Sequence, residues 1–165
     1  QGSLNRATPM IAMTASENRE DELAALEGGF DDYLSKPINH KVLRQKIWRN
    51  LQKVRQMQDA AAGKEIVSFL DGNPDYHKAI EAFVQNLPGR LEEMKAALEN
   101  HDLKSLSLKV HALKGVGGFA GFSVYTEKAK DIEEALQDEE LDKVRQQLEE
   151  MANMCLRTRL KSDCP

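Results

Sequence analysis

The chain has 165 residues, 41 % hydrophobic and 30 % charged, a balance that favours a soluble globular class over disorder. Its length allows one ordinary domain, or a small domain with a piece of another. A net charge of −4 argues against nucleic acid as the ligand, and no apolar run approaches the roughly 20 residues that span a bilayer.

Two unlike segments follow one another. In the first, Met10 to Ala15 is a short apolar run after Pro9, the pattern of a buried strand. Ser16 can cap a helix over Glu17 to Leu26, with Gly28 and Gly29 as its stop. Phe30 to Leu34 is a second strand, ended by Lys36-Pro37. Asn39 then caps a helix carrying Val42, Leu43, Ile47 and Leu51. Strand, helix, strand, helix makes two βα units of a parallel sheet. Residues 1–51 form this piece, and residues 52–63, polar with an alanine run, form a linker that can continue the helix.

Residues 64–165 read as helix throughout. Ile66, Phe69 and Leu70 suggest a short helix ended by Asp71-Gly72-Asn73-Pro74. Ile80, Phe83, Val84, Leu87, Leu91, Met94 and Leu98 recur at helical spacing, with a kink expected at Pro88-Gly89. Leu103, Leu106, Val110, Leu113 and Gly117 form a narrow stripe. Val124, Lys128, Ile132 and Leu136 mark a further helix, and Leu141, Val144, Leu148, Met151 and Cys155 the last. Four long amphipathic helices with short connections imply an antiparallel four-helix bundle. The fold class is thus mainly α, a bundle preceded by an incomplete α/β piece.

Two cysteines, Cys155 and Cys164, make neither a disulfide framework nor a zinc site. Cys155 lies on an apolar stripe and is expected to be a buried thiol in a reducing, cytoplasmic setting. Met10, Met13, Met94, Met151 and Met154 read as packing, and Trp48 as half-buried. Gln1-Gly2-Ser3 has the look of a cloning scar.

The chemistry concentrates at His111 to Gly121, HALKGVGGFAG. On a helical wheel His111 lies about 120° from the middle of the Leu103–Gly117 stripe. It is therefore an outward residue, with Ser107, Leu108, Gly115 and Gly118 on the same face. Lys114 stands one turn on, and its stem can carry the ammonium towards the ring. Gly115 in a helix interior costs about 1 kcal/mol relative to alanine. Several glycines there need a reason, and room for a partner or close helix packing supplies one. A lone helical histidine is ordinarily just a surface residue; the glycines beside it set this one apart. A nucleotide loop is a poor fit, since no Gly-Lys-Ser/Thr follows. Metal binding is equally poor, because His77, His101 and His111 lack clustered ligand spacing.

The pattern His111, Leu113, Lys114, Gly115, Gly121 resembles the signature of histidine-containing phosphotransfer (HPt) domains, over roughly Glu65 to Leu160. The resemblance implies that His111 is phosphorylated and that Lys114 contacts the phosphoryl group. Ser107, Leu108, Ala112, Gly115 and Gly118 would form a docking floor for receiver domains of response regulators. Val116-Gly117 departs from the small polar residues common after the motif glycine. In the first segment, Thr14-Ala15 and Phe30-Asp31-Asp32-Tyr33-Leu34-Ser35-Lys36-Pro37 resemble the C-terminal part of a flavodoxin-like receiver domain. That likeness implies phosphate contacts for Thr14 and Lys36 and a rotamer-switching aromatic at Tyr33. Asp31 and Asp32 carry a structural role, since the family's phosphoacceptor aspartate and magnesium-binding acids belong upstream.

Together the two resemblances imply the C-terminal end of a hybrid sensor histidine kinase, membrane-anchored as a whole. The fragment would be a phosphate carrier and not itself an enzyme. It would hold no cofactor or metal, with Mg2+ on the partner receiver, and would touch neither nucleic acid nor membrane. A homodimer through the receiver remnant is a further expectation. The rival reading is a helical docking or dimerisation module that carries no phosphate.

Overall fold

The computed structural model describes residues 8–15, 24–25 and 28–160. The expected cap at Ser16, most of the helix Glu17–Leu26, Cys164 and Gln1–Ser3 lie outside them; Ala24 and Ala25 are helical. Contacts divide the chain into two units, Gln1–Arg55 and Gln56–Pro165.

In the first unit, β1 (Ile11–Thr14) pairs in parallel with β2 (Asp32–Ser35), in the register Ile11 to Asp32 and Thr14 to Ser35. Asp31 extends the pair: its N–H donates to the Met10 carbonyl, and its carboxylate accepts from the Met10 N–H, both at 2.8 Å. Asn39 caps α1 (His40–Ala61) by accepting from the N–H groups of Lys41 and Val42. Leu34 is the buried centre of this small unit. The expectation of a buried β1 is corrected, because Met13 is 54 % exposed and Met10 lies open beside it. Two strands cannot cover both faces of a parallel sheet. For the same reason Trp48, Ile47 and Leu51 on α1 are exposed rather than packed.

The second unit is built on α2 (His77–Glu99), α3 (Leu103–Phe119), α4 (Ser123–Gln137) and α5 (Leu141–Cys155). Connections of three residues, 100–102, 120–122 and 138–140, force neighbours to run antiparallel. Contacts α2–α3, α3–α4, α4–α5 and α2–α5 close the ring of a four-helix bundle. Asp102 caps α3 through the Ser105 N–H at 3.0 Å. Leu87, Leu106, Val110, Leu113 and Ile132 fill the core. At one end Phe83 stacks on Phe122 (4.6 Å between centroids), and Tyr125 meets Phe83 edge-on. The α2 helix runs unbroken through Pro88.

One expectation differs here. Residues 64–70 form no helix, since too few residues separate Gly63 from Asp71 to nucleate one. Ile66 instead exchanges backbone hydrogen bonds with Arg157 and Arg159, and Ser68 donates to the Ala120 carbonyl at 2.7 Å. The chain from Gln52 on continues the helix to Ala61, as the sequence allows, and Gln56 is buried. The Gln56 amide donates to the carbonyls of Val67 (2.7 Å) and Gly121 (2.9 Å) and accepts from the Val124 N–H (3.3 Å). Gly121 sits at φ +77°, where an added Cβ would lie 2.5 Å from Ser68 Oγ.

Candidate functional site

The α3 helix presents two faces. Leu106, Val110, Leu113 and Gly117 are buried. Leu103, expected on that stripe, is instead partly open at the helix start. On the other side Ser107, Leu108, His111, Ala112, Gly115 and Gly118 are all exposed. The His111 side chain is 74 % exposed, and Leu108 beside it is 66 % exposed. The imidazole thus lies off the core stripe, as the wheel indicates, on an accessible surface.

The glycines divide by role. A Cβ at Gly115 would meet nothing within 4 Å, so the surface beside the ring is open. At Gly117 a Cβ would touch the Phe122 carbonyl and Thr126 Oγ1 at 3.4 Å, and Gly118 would meet the same hydroxyl. Gly117 therefore serves the close approach of α4. Thr126 also donates to the Lys114 carbonyl at 3.1 Å, pinning the two helices together.

The α4 helix supplies a group that the motif did not reveal. The carboxylate of Glu133 reaches across to α3 with both oxygens. Oε1 lies 3.0 Å from His111 Nδ1, and Oε2 accepts from Lys114 Nζ. Partial burial opposes ionisation of Glu133, but the hydrogen bonds and charges of Lys114 and His111 outweigh it and hold its carboxyl below the usual range. A carboxylate facing Nδ1 makes that nitrogen the donor; in the neutral imidazole the arrangement favours the tautomer with the proton on Nδ1 and the lone pair on Nε2. Lys109 ties the opposite flank of α3 to Glu93 on α2 and lowers that carboxyl too. A signal for Glu133 does exist in the sequence. Folding α4 back on α3 about the 120–122 connection sets residue 111 opposite about residue 131, within one turn of Glu133.

The match to known families follows this geometry. The Hpt domain family matches residues 78–161, half of the chain. The chain belongs to the Hpt domain family. Its helical bundle and its place in two-component phosphorelay signalling follow from that membership. The Hpt match begins at residue 78, in α2; the segment before it lies outside that match. The chain is 28 % identical over 129 residues to the sensor histidine kinase GacS of Pseudomonas protegens, covering 68 % of this chain and 14 % of that protein. It is 25 % identical to the sensor protein GacS of Pseudomonas syringae, over 88 % of this chain and 19 % of that one. It is 24 % identical to the transcriptional regulatory protein YxdJ of Bacillus subtilis, over 61 % and 41 % respectively. The chain therefore spans only a minor part of the length of these relatives. No solved structure matches.

The receiver-like residues lie within the first unit. Thr14 ends β1, and its carbonyl accepts from the Lys36 N–H at 2.8 Å. The Tyr33 ring lies 4.6 Å beneath the Lys46 ammonium, which also pairs with Asp32. Asn50 donates to the other Asp32 oxygen at 3.3 Å. Asp31 and Asp32 are thus engaged in local structure. Among the described residues no cluster of His, Cys, Asp and Glu could hold a metal, and no helix is long and apolar enough to cross a membrane.

Proposed function

We propose that the chain is a phosphocarrier of a His–Asp relay, with His111 Nε2 as the acceptor. The observation that carries this is one exposed imidazole whose Nδ1 is held by Glu133, with Lys114 one turn away and open space at Gly115. Nε2 attacks the phosphorus of a receiver's aspartyl phosphate. The N–P bond forms as the O–P bond to the aspartate breaks, and the aspartate leaves as a carboxylate. The Nδ1 proton stays on the ring against Glu133, whose charge eases the positive charge gathering there. Lys114 neutralises charge on the phosphoryl oxygens. The reverse step delivers the group to another receiver.

Ser107, Leu108, Ala112, Gly115 and Gly118 form the docking floor, which suits a small and transient interface. Magnesium is expected on the receiver partner, whose acidic groups would hold it. Thr14, Tyr33 and Lys36 would take the receiver-like roles that their motifs imply, but this chain's receiver part is not expected to accept phosphate by itself. The parent is a hybrid sensor kinase, the reading that the two GacS relatives support.

The test is incubation with a phosphorylated receiver. Acid-labile, base-stable phosphate should appear on the chain and be lost in His111→Gln and His111→Ala, with the helical content unchanged. Equal labelling of the variants refutes the assignment of His111. Receiver binding without any labelling supports the docking-module reading instead.

A further inference from the structure

One carboxylate of α4 serves two groups of α3. Glu133 Oε1 lies 3.0 Å from His111 Nδ1, and Oε2 accepts from the Lys114 ammonium. The Glu133 side chain is 21 % exposed against 74 % for the ring, so the carboxylate is the better held member of the pair. The helices packed on α3 are α2 and α4. On α2, Glu93 is taken by Lys109, on the far flank of α3. On α4, Lys130 pairs with Glu127, and Glu133 faces the ring. The charges that act on the Glu133 carboxyl are those of Lys114 and His111.

Resting on the reading of His111 as the phosphate carrier, we propose that Glu133 sets how readily the loaded ring releases its phosphoryl group, by holding a proton on Nδ1 while Nε2 carries the phosphorus. When the N–P bond breaks, its electron pair returns to Nε2. A ring that keeps the Nδ1 proton leaves as neutral imidazole. A ring that has lost it leaves as an imidazolide anion, a far poorer leaving group. This is why phosphate on histidine is labile in acid and stable in base. The new O–P bond comes from a receiver aspartate or from water, and with water the surplus proton goes to solvent. The Nδ1 proton moves in neither case, and the negative charge facing it favours its staying there.

Lys114 strengthens the effect. In the unloaded chain its ammonium and the ring share the one carboxylate. A phosphoryl group on Nε2 brings roughly two negative charges, a second partner for that ammonium one helical turn away. As Lys114 turns to the phosphoryl oxygens, Glu133 is left to the ring alone, and its hold on the Nδ1 proton tightens. Loading thus prepares the group for release. The chain becomes a carrier that hands phosphate on quickly, and that loses it to water when no receiver takes it.

Phosphoramidate, a small donor that phosphorylates exposed imidazoles directly, loads the folded chain without a receiver. Phosphorus-31 spectra follow decay of the His111 signal, assigned by its absence in His111→Gln, from about pH 6 to 9. Glu133→Gln keeps an oxygen for Nδ1–H but removes the charge that favours a cationic ring. Because the ring is exposed, water and salt blunt that charge, so wild type at about pH 8 should decay roughly two- to fivefold faster than Glu133→Gln. The pH at which decay slows should stand about 0.3–0.7 unit higher in wild type, and nitrogen-15 spectra should show Nδ1 of the loaded ring protonated to correspondingly higher pH. Glu133→Ala should follow the glutamine variant. The signals of His40, His77 and His101 should not move in either, which separates this effect from a change of fold. Identical pH profiles, slower decay in wild type, or no His111 signal at all overturns the proposal. Shifted profiles support it even where no phosphorylated receiver labels the chain, a result that would strike the carrier reading alone.

Discussion

Removing the Glu133 carboxylate is the sharpest probe of the site. Its Oε1 lies 3.0 Å from His111 Nδ1, a hydrogen bond with a charged acceptor, a class worth about 1.5–3 kcal/mol. The His111 side chain is 74 % exposed, so water competes and the usable bias falls to about 0.5–1 kcal/mol. At about 1.36 kcal/mol per factor of ten, this is roughly a two- to fivefold preference for the tautomer with Nε2 bare. Glu133→Ala should release that preference, and the rate of phosphoryl acceptance should drop by a similar factor. Glu133→Gln keeps an oxygen able to accept from Nδ1–H, so its tautomer ratio should stay nearer wild type. It lacks the charge that holds Lys114, so that ammonium should be more mobile. Nitrogen-15 imidazole spectra read the tautomers, and rapid-quench transfer from a phosphorylated receiver reads the rate. If Glu133→Ala matched wild type in both, the bond would have no bearing on the chemistry.

Gly115→Ala should stabilise the bundle by about 1 kcal/mol, because the new Cβ meets nothing and alanine is the better helix former; Gly117→Ala, crowded by Phe122 and Thr126, should gain far less in the same urea titration. Gly115→Leu should keep the fold yet weaken receiver binding in a direct titration, and Lys114→Ala should slow transfer without abolishing it. Tyr125→Phe should cost about 1 kcal/mol of unfolding free energy, since the hydroxyl donates to Thr158 Oγ1 at 2.6 Å while Thr158 donates on to the Met154 carbonyl. Glu133 and Glu150 are both held below their ordinary value of 4.5 by lysine partners. Depressed carboxyls contribute stability that is full above the unfolded value and lost as pH falls through the folded one. Urea midpoints should therefore be flat from about pH 5 to 7 and fall below about pH 4.5, with Glu133→Gln showing a shallower fall.

The bundle was legible because its helices repeat apolar residues at one period over four turns or more; Asn39 likewise announces the start of α1, which the backbone uses. His111 was legible for the converse reason, as a residue that breaks the pattern of its stripe. Glu133 was legible only to within a turn, through the short 120–122 connection, since periodicity within one helix does not fix the register between two. The piece around Ile66 misled because three apolar residues at helical spacing also fit a short extended run, whose partners at Arg157 and Arg159 lie far along the chain. Residues Met10–Met13 read as buried because apolar strands in complete sheets are covered, whereas here only one neighbouring strand is present in the described residues. Gln56 sat in a polar run that gave no hint of burial.

That glutamine changes what counts as the smallest autonomous piece of the molecule. The Hpt match opens at residue 78, and a chain cut there would keep all four bundle helices. It would also lose Ser68 from the Ala120 carbonyl and the Gln56 side chain from the Gly121 carbonyl and the Val124 N–H. Those three backbone groups cluster at the turn that starts α4, the helix that carries Glu133. The end of α1 thus works as a clamp on the very corner that aims the carboxylate at His111, and the boundary of the family's pattern is not the boundary of the working unit.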